Sequence, residues 1–145
     1  IGRFMFVEQE MQKQLEHGYW RDLAEQYEFF TAMLLERLKK RGAVNWHAWQ
    51  QVCPDNYVID SQLGVDHFGE LADGYGNIFF MINTKSTPEA LQKHRYKVGR
   101  ESILGYHPQC SIAHPSEEEL YTEEKRLLEE ILQFFGSCNA VADAG

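Results

Sequence analysis

Six apolar side chains, Trp20, Leu23, Tyr27, Phe30, Leu34 and Leu38, recur at steps of three and four residues. That spacing gathers them on one side of an α-helix and on neither face of a strand. Lys39-Lys40-Arg41 and then Gly42 follow, which are the basic last turn and the glycine stop of a helix end. A rod this long with a continuous greasy stripe needs a surface to bury it. Two further stripes make the same demand. Phe4, Val7, Met11 and Leu15 precede Gly18, and Leu120, Glu124, Leu127, Ile131 and Phe134 run near the end, with Leu128 and Phe135 beside them. Ser116 and Glu119 form a capping box ahead of that last stripe, and Gly136 closes it.

Between the stripes the period changes. Residues 65–71 and 78–84 read as two strands around a turn rich in Gly, Asp and Asn, the residue types that accept a hairpin's positive φ angles. Ile78-Phe79-Phe80-Met81-Ile82 is apolar on both faces, which predicts a central strand covered on both sides. Asn45 is placed to cap a short helix over 46–52, and Thr87-Pro88-Glu89 opens another that reaches Arg95. Short strands are expected over 102–106 and 110–114. The fold expected is α+β, one domain over 1–145: a small, mostly antiparallel sheet packed against two N-terminal helices and one C-terminal helix. The small-residue tail 137–145 is expected to fray.

A chain of 145 residues buries enough surface for its own core, so disulfide or metal staples are not required to hold it together, and no cofactor is expected. Cys53, Cys110 and Cys138 are an odd set at irregular spacing, which reads as reduced thiols in a cytoplasm. The first residues turn polar at Glu8 and lack the small-residue cleavage site of a secretory signal. No apolar run is long enough to span a bilayer. The net charge of −8 argues against nucleic acid and anionic membrane as partners and favours a basic protein.

Asp66, at the start of the first hairpin strand, and Asn83-Thr84-Lys85, at the end of the second, carry a resemblance to the PD-(D/E)xK nuclease family. It spans residues 64–86. In that family two acids at these places hold a divalent metal, and the lysine positions or polarises the attacking water. The resemblance thus implies Asp66 and Lys85 as catalytic candidates. Asn83 departs from the motif, because it stands where the second acid belongs and an amide is a poor ligand for a hard cation. Glu70, on the same strand face as Asp66 by period two, is the candidate replacement.

His107, Cys110 and His114 form a His-x2-Cys-x3-His run of zinc-ligand types, with Cys53, His67 or His94 as a fourth ligand. The plainer reading is two loop histidines beside prolines and a buried thiol. Asp66, Glu70, Asp73 and Asn77 offer oxygen ligands near a glycine turn, but their spacing does not follow a calcium loop. No nucleophile motif and no phosphate-cradling loop is present. Two surfaces remain. Seven glutamates lie between Glu117 and Glu130 against Lys125 and Arg126, a solvated face or an acidic docking surface. The aromatic residues Trp20, Tyr27, Phe30, Trp46, Trp49 and Tyr75 are the candidates for a small-molecule pocket. Phe29, Phe30, Met33, Leu34 and Leu35 make the second helix apolar beyond one stripe, which suggests a homodimer through it. The reading favoured is a non-enzymatic binding or accessory protein acting as a homodimer, with a divalent-metal nuclease or an inactive relative of one, and a small-molecule binder, as alternatives.

Overall fold

The computed structural model describes residues 23–45, 65–72, 78–95 and 102–136. The first described element is α1, Leu23–Lys40. Its ending follows from local chemistry. Gly42 takes φ 79°, its N–H donates to the Lys39 carbonyl at 2.9 Å, and the Ala43 N–H donates to the Leu38 carbonyl at 3.0 Å. Those bonds satisfy carbonyls that the helix end would otherwise leave open.

Four strands follow among the described residues: β1 Val44–Asn45, β2 His67–Leu71, β3 Phe79–Thr84 and β4 Leu104–Tyr106. They form one sheet in the order β1-β2-β3-β4. The β1–β2 and β2–β3 pairs are antiparallel, with His67 opposite Ile82 and Glu70 opposite Phe79. The β3–β4 pair is parallel, with Thr84 opposite Tyr106. A parallel neighbour needs a crossover, and α2, Pro88–Arg95, supplies it. The Thr87 hydroxyl caps α2 by accepting the Ala90 N–H at 3.1 Å. Behind α2, His94 Nε2 lies 2.9 Å from the Ile103 carbonyl, and the His94 ring and Leu91 close over Gly105.

The last helix, α3, runs Glu117–Ile131 and continues into a π-helical turn, Leu132–Gly136. Both halves of the capping box form: Glu119 N–H to the Ser116 hydroxyl and Ser116 N–H to the Glu119 carboxylate, each 3.1 Å. Leu71, Phe80, Ile82, Leu104 and Tyr106 of the sheet share one core with Phe30, Leu34 and Leu38 of α1 and with Leu120, Leu127 and Ile131 of α3. The architecture is therefore α+β with a mostly antiparallel sheet. Among the described residues no helix is long and apolar enough to cross a membrane.

Two expectations change. Residues 110–114 form no strand, because the Gln109 N–H that would begin a ladder donates instead to the Glu123 carboxylate at 3.0 Å, and Pro115 has no N–H to give. β3 is central but is not covered on both faces: Phe80 and Ile82 are buried while Phe79 is 67% exposed and Met81 half-buried. The helix expected from Phe4 to Leu15, the helix over 46–52, the hairpin turn 73–77 and the tail 137–145 lie outside the described residues.

Candidate functional site

Sheet polarity decides which polar residues meet. β3 and β4 end where β2 begins, so Asp66, Asn83-Thr84-Lys85 and Tyr106-His107 gather at one end of the sheet. Space beyond the carboxyl ends of parallel strands is where α/β proteins commonly hold ligands. One oxygen of the buried Asp66 carboxylate accepts the Thr84 N–H at 2.7 Å, and the Lys85 N–H donates to the Tyr106 carbonyl at 2.7 Å. His107 Nδ1 lies 2.9 Å from the Lys85 carbonyl. A carbonyl only accepts, so Nδ1 is the donor in this contact. The Tyr27 ring of α1 stacks on His107 with centroids 5.2 Å apart.

The hairpin thus brings Asp66 and the Asn83-Thr84-Lys85 segment to one corner, with Asn83 also buried. Glu70 is not there. It pairs with Phe79 at the other end of β2, four residues from Asp66, or about 13 Å at roughly 3.3 Å per residue. Ligand bonds to a hard cation are about 2–2.6 Å, so Asp66 and Glu70 cannot share one.

The zinc candidates also part. His107 is held against Lys85, Cys110 is a half-buried free thiol, and His114 is exposed. His67 is fully buried and His94 sits on the Ile103 carbonyl, while Cys53 lies outside the described residues. Among the described residues no three His, Cys, Asp or Glu side chains come together in a way that could hold a metal ion. Trp20, Trp46, Trp49, Tyr75, Asp73, Asn77 and Cys138 lie outside the described residues. Of the aromatic candidates that are described, Phe30 is in the core and Tyr27 is on His107. The apolar surplus of α1 is used internally: Phe30, Met33, Leu34 and Leu35 are all completely buried in this chain's own core, and Phe29 is half-buried.

A more developed polar assembly lies where β4 meets α3. Glu123 is only 4% exposed. Its Oε1 accepts the Tyr106 hydroxyl at 2.7 Å, the Gln109 N–H at 3.0 Å and a guanidinium N–H of Arg126. Arg126 also donates to the His107 carbonyl at 2.9 Å and to Glu130 at 3.0 Å, and lies 4.8 Å from the centre of the Tyr106 ring. Burial pushes the Glu123 carboxyl up, but the donors Arg126, Tyr106 and Gln109 outweigh it and hold the group below the usual carboxylate range. Glu123 is therefore an anion at neutral pH. Burial, followed by the charges of Glu123 and Glu119, pushes the Cys110 thiol up to about 11, so it stays protonated.

Glu123 also lines an open depression of about 350 Å³ together with Gln109, Cys110, Glu118, Glu119 and Thr122. On the neighbouring flank, the fully buried Glu124 is matched by Arg37 at 3.3 Å and Arg41 at 2.9 Å, and Arg37 also binds Glu117. The sequence held one signal for such pairing: Glu124 stands in the apolar stripe of α3, and a charge there needs a partner. Nothing comparable marked Glu123 or Tyr106, whose partners are 14 to 17 residues apart in the chain. No family model, no curated protein and no solved structure matches this chain.

Proposed function

We propose that this protein is a binding module that docks basic polypeptides on the acidic face of α3. The observation that carries this reading is the division of its glutamates. Glu117, Glu123, Glu124 and Glu130 are each matched by Arg37, Arg41 or Arg126. Glu118, Glu119 and Glu129 are exposed and have no ion pair among the described residues. Arginines that belong to the fold are thus spent on Glu117, Glu123, Glu124 and Glu130, and Glu118, Glu119 and Glu129 remain as an acidic ridge facing solvent. Such a ridge raises the local concentration of cationic partners and speeds encounter. A metal-nuclease reading is the weaker one, since the corner with Asp66 has an amide at Asn83 and Glu70 is beyond reach.

Calorimetric titration with an arginine-rich decapeptide tests this. A net charge of −8 attracts any polycation at low salt, so the control is placement of charge rather than its amount. Glu118→Gln with Glu119→Gln should weaken binding at least fivefold. Glu25→Gln with Glu89→Gln, which removes the same charge elsewhere, should change it less than twofold. Equal weakening by both pairs would refute a docking face on α3.

A further inference from the structure

Resting on the docking reading, we infer that the depression beside α3 is a pocket for a single arginine or lysine side chain of the partner, with the outer oxygen of Glu123 as its floor. Two observations meet there. First, Glu119 and Glu123 are four residues apart on a helix, so their side chains stand one turn apart on the same face, and Glu118 adjoins them. Those three acids, Thr122, Gln109 and Cys110 line one space of about 350 Å³, enough for the end of a long cationic side chain.

Second, Glu123 is a buried carboxylate whose hydrogen bonds fall on one oxygen and leave the other over. Every hydrogen bond it takes, from Tyr106, Gln109 and Arg126, arrives at Oε1. Oε2 takes none and is not sealed from solvent, and the Glu123 side chain lines the depression. A carboxylate oxygen accepts about two donors. Nine-tenths of this side chain is already desolvated when the pocket is empty, so a ligand donor meets an acceptor that has lost most of its water and is held rigidly from behind. Preorganisation of that kind favours a charge-assisted bond over one to a mobile surface glutamate.

The rest of the lining fits the same ligand. Glu119 keeps one oxygen on the Ser116 N–H, which fixes the carboxylate at the rim. The Cys110 thiol is neutral and, with the Thr122 side chain, gives the aliphatic stem of an arginine or lysine something to lie against. Three acids and a thiol line this space, but among the described residues no three His, Cys, Asp or Glu side chains come together in a way that could hold a metal ion.

The experiment follows backbone amide shifts of Gln109, Cys110 and Thr122 in the full chain during addition of ethylguanidinium, then butylammonium, with potassium chloride at matched ionic strength as the baseline. Saturable shifts confined to these residues, with a millimolar midpoint for at least one organic cation, are expected. Thr122→Phe fills the depression without altering any charge. It should abolish those shifts and weaken the arginine-rich decapeptide at least fivefold, because Thr122 is exposed and the helix tolerates a larger residue there.

Shifts no different from potassium chloride would overturn the pocket. So would saturable shifts with magnesium or calcium and none with the organic cations, since the site would then be a metal site. If the decapeptide binds Thr122→Phe as well as it binds the parent, while Glu118→Gln with Glu119→Gln still weakens it, the pocket falls and the docking face stands. If neither change affects the peptide, both fall.

Discussion

His67 offers the sharpest test of the packing between α1 and the sheet. Its side chain is completely buried at the start of β2, and neither ring nitrogen has a partner of good hydrogen-bond geometry. Burial lowers its pKa from 6.5 to about 4, opposed only weakly by the Glu28 backbone nearby. The sign follows directly. Between those two values the unfolded chain binds a proton that the folded protein does not, so folding is disfavoured as pH falls. The stability that depends on a neutral His67 is complete above 6.5 and is lost progressively as pH drops from 6.5 toward 4 and below. At about 1.36 kcal/mol per unit, the full span is on the order of 3 kcal/mol, and about 2.5 kcal/mol of it is gone by about pH 4.5. Against a typical stability of about 5–15 kcal/mol, that is a large fraction. Urea unfolding of the parent and of His67→Leu at about pH 7.5, 6.0, 5.0 and 4.5 measures it, because other titrating groups act in both proteins and cancel in the difference. At about pH 7.5 the two should agree to within about 1.5 kcal/mol, since an apolar residue of similar size replaces an unpartnered polar one. By about pH 4.5 the variant should have gained about 2.5 kcal/mol relative to the parent. Parallel stability curves over this range would refute a buried, neutral imidazole.

Two other substitutions probe the parts that hold the site. Tyr106→Phe removes the hydroxyl 2.7 Å from Glu123 but keeps the ring under Arg126, and should cost about 1.5–2 kcal/mol at neutral pH, the scale of a hydrogen bond to a charged group. Because that hydroxyl helps hold the Glu123 pKa below 4.5, the cost should be fully present above about pH 4.5 and shrink as pH falls further, which urea unfolding at about pH 7 and 3.5 would detect. Gly105→Ala would place a methyl 2.7 Å from His94 Cδ2 and 2.9 Å from Leu91 Cδ1. His94 is buried and tied to Ile103, so it cannot swing aside, and a loss of about 1–3 kcal/mol in thermal or urea unfolding is expected.

What could be read from the chain was local chemistry. The end of α1 at Gly42, the capping box at Ser116 and the cap at Thr87 each depend on residues a few positions apart, and all three form as their spacing requires. The hairpin was legible for the same reason. Which of its faces would be buried was not, because Asp66, Phe68 and Glu70 alternate with His67, Gly69 and Leu71, and neither set is clearly the apolar one. The fold buries His67 and leaves Phe68 41% exposed, a choice made by what α1 and α3 bring to the sheet. The segment 110–114 misled through its pattern alone, since its local preference yields to one carboxylate, Glu123, that takes the Gln109 N–H. Glu123 itself was hidden among seven glutamates, and only its distant partners, Tyr106 and Gln109, distinguish it.

The same carboxylate joins sheet, loop and helix. Oε1 of Glu123 binds β4 through Tyr106, the following loop through Gln109 and its own helix through Arg126. Arg126 extends the link to the His107 carbonyl, and His107 to Lys85 at the end of β3. The depression is thus continuous, by hydrogen bonds, with the corner where Asp66 holds Thr84. Removing Glu123 would leave Arg126 half-buried without its closest partner, so loss of binding in such a variant would report lost structure as much as lost contact. Changes at Thr122, Glu118 and Glu119 act on the space in front of that carboxylate and leave its three donors in place. They separate what the group does for the fold through one oxygen from what it offers a partner through the other.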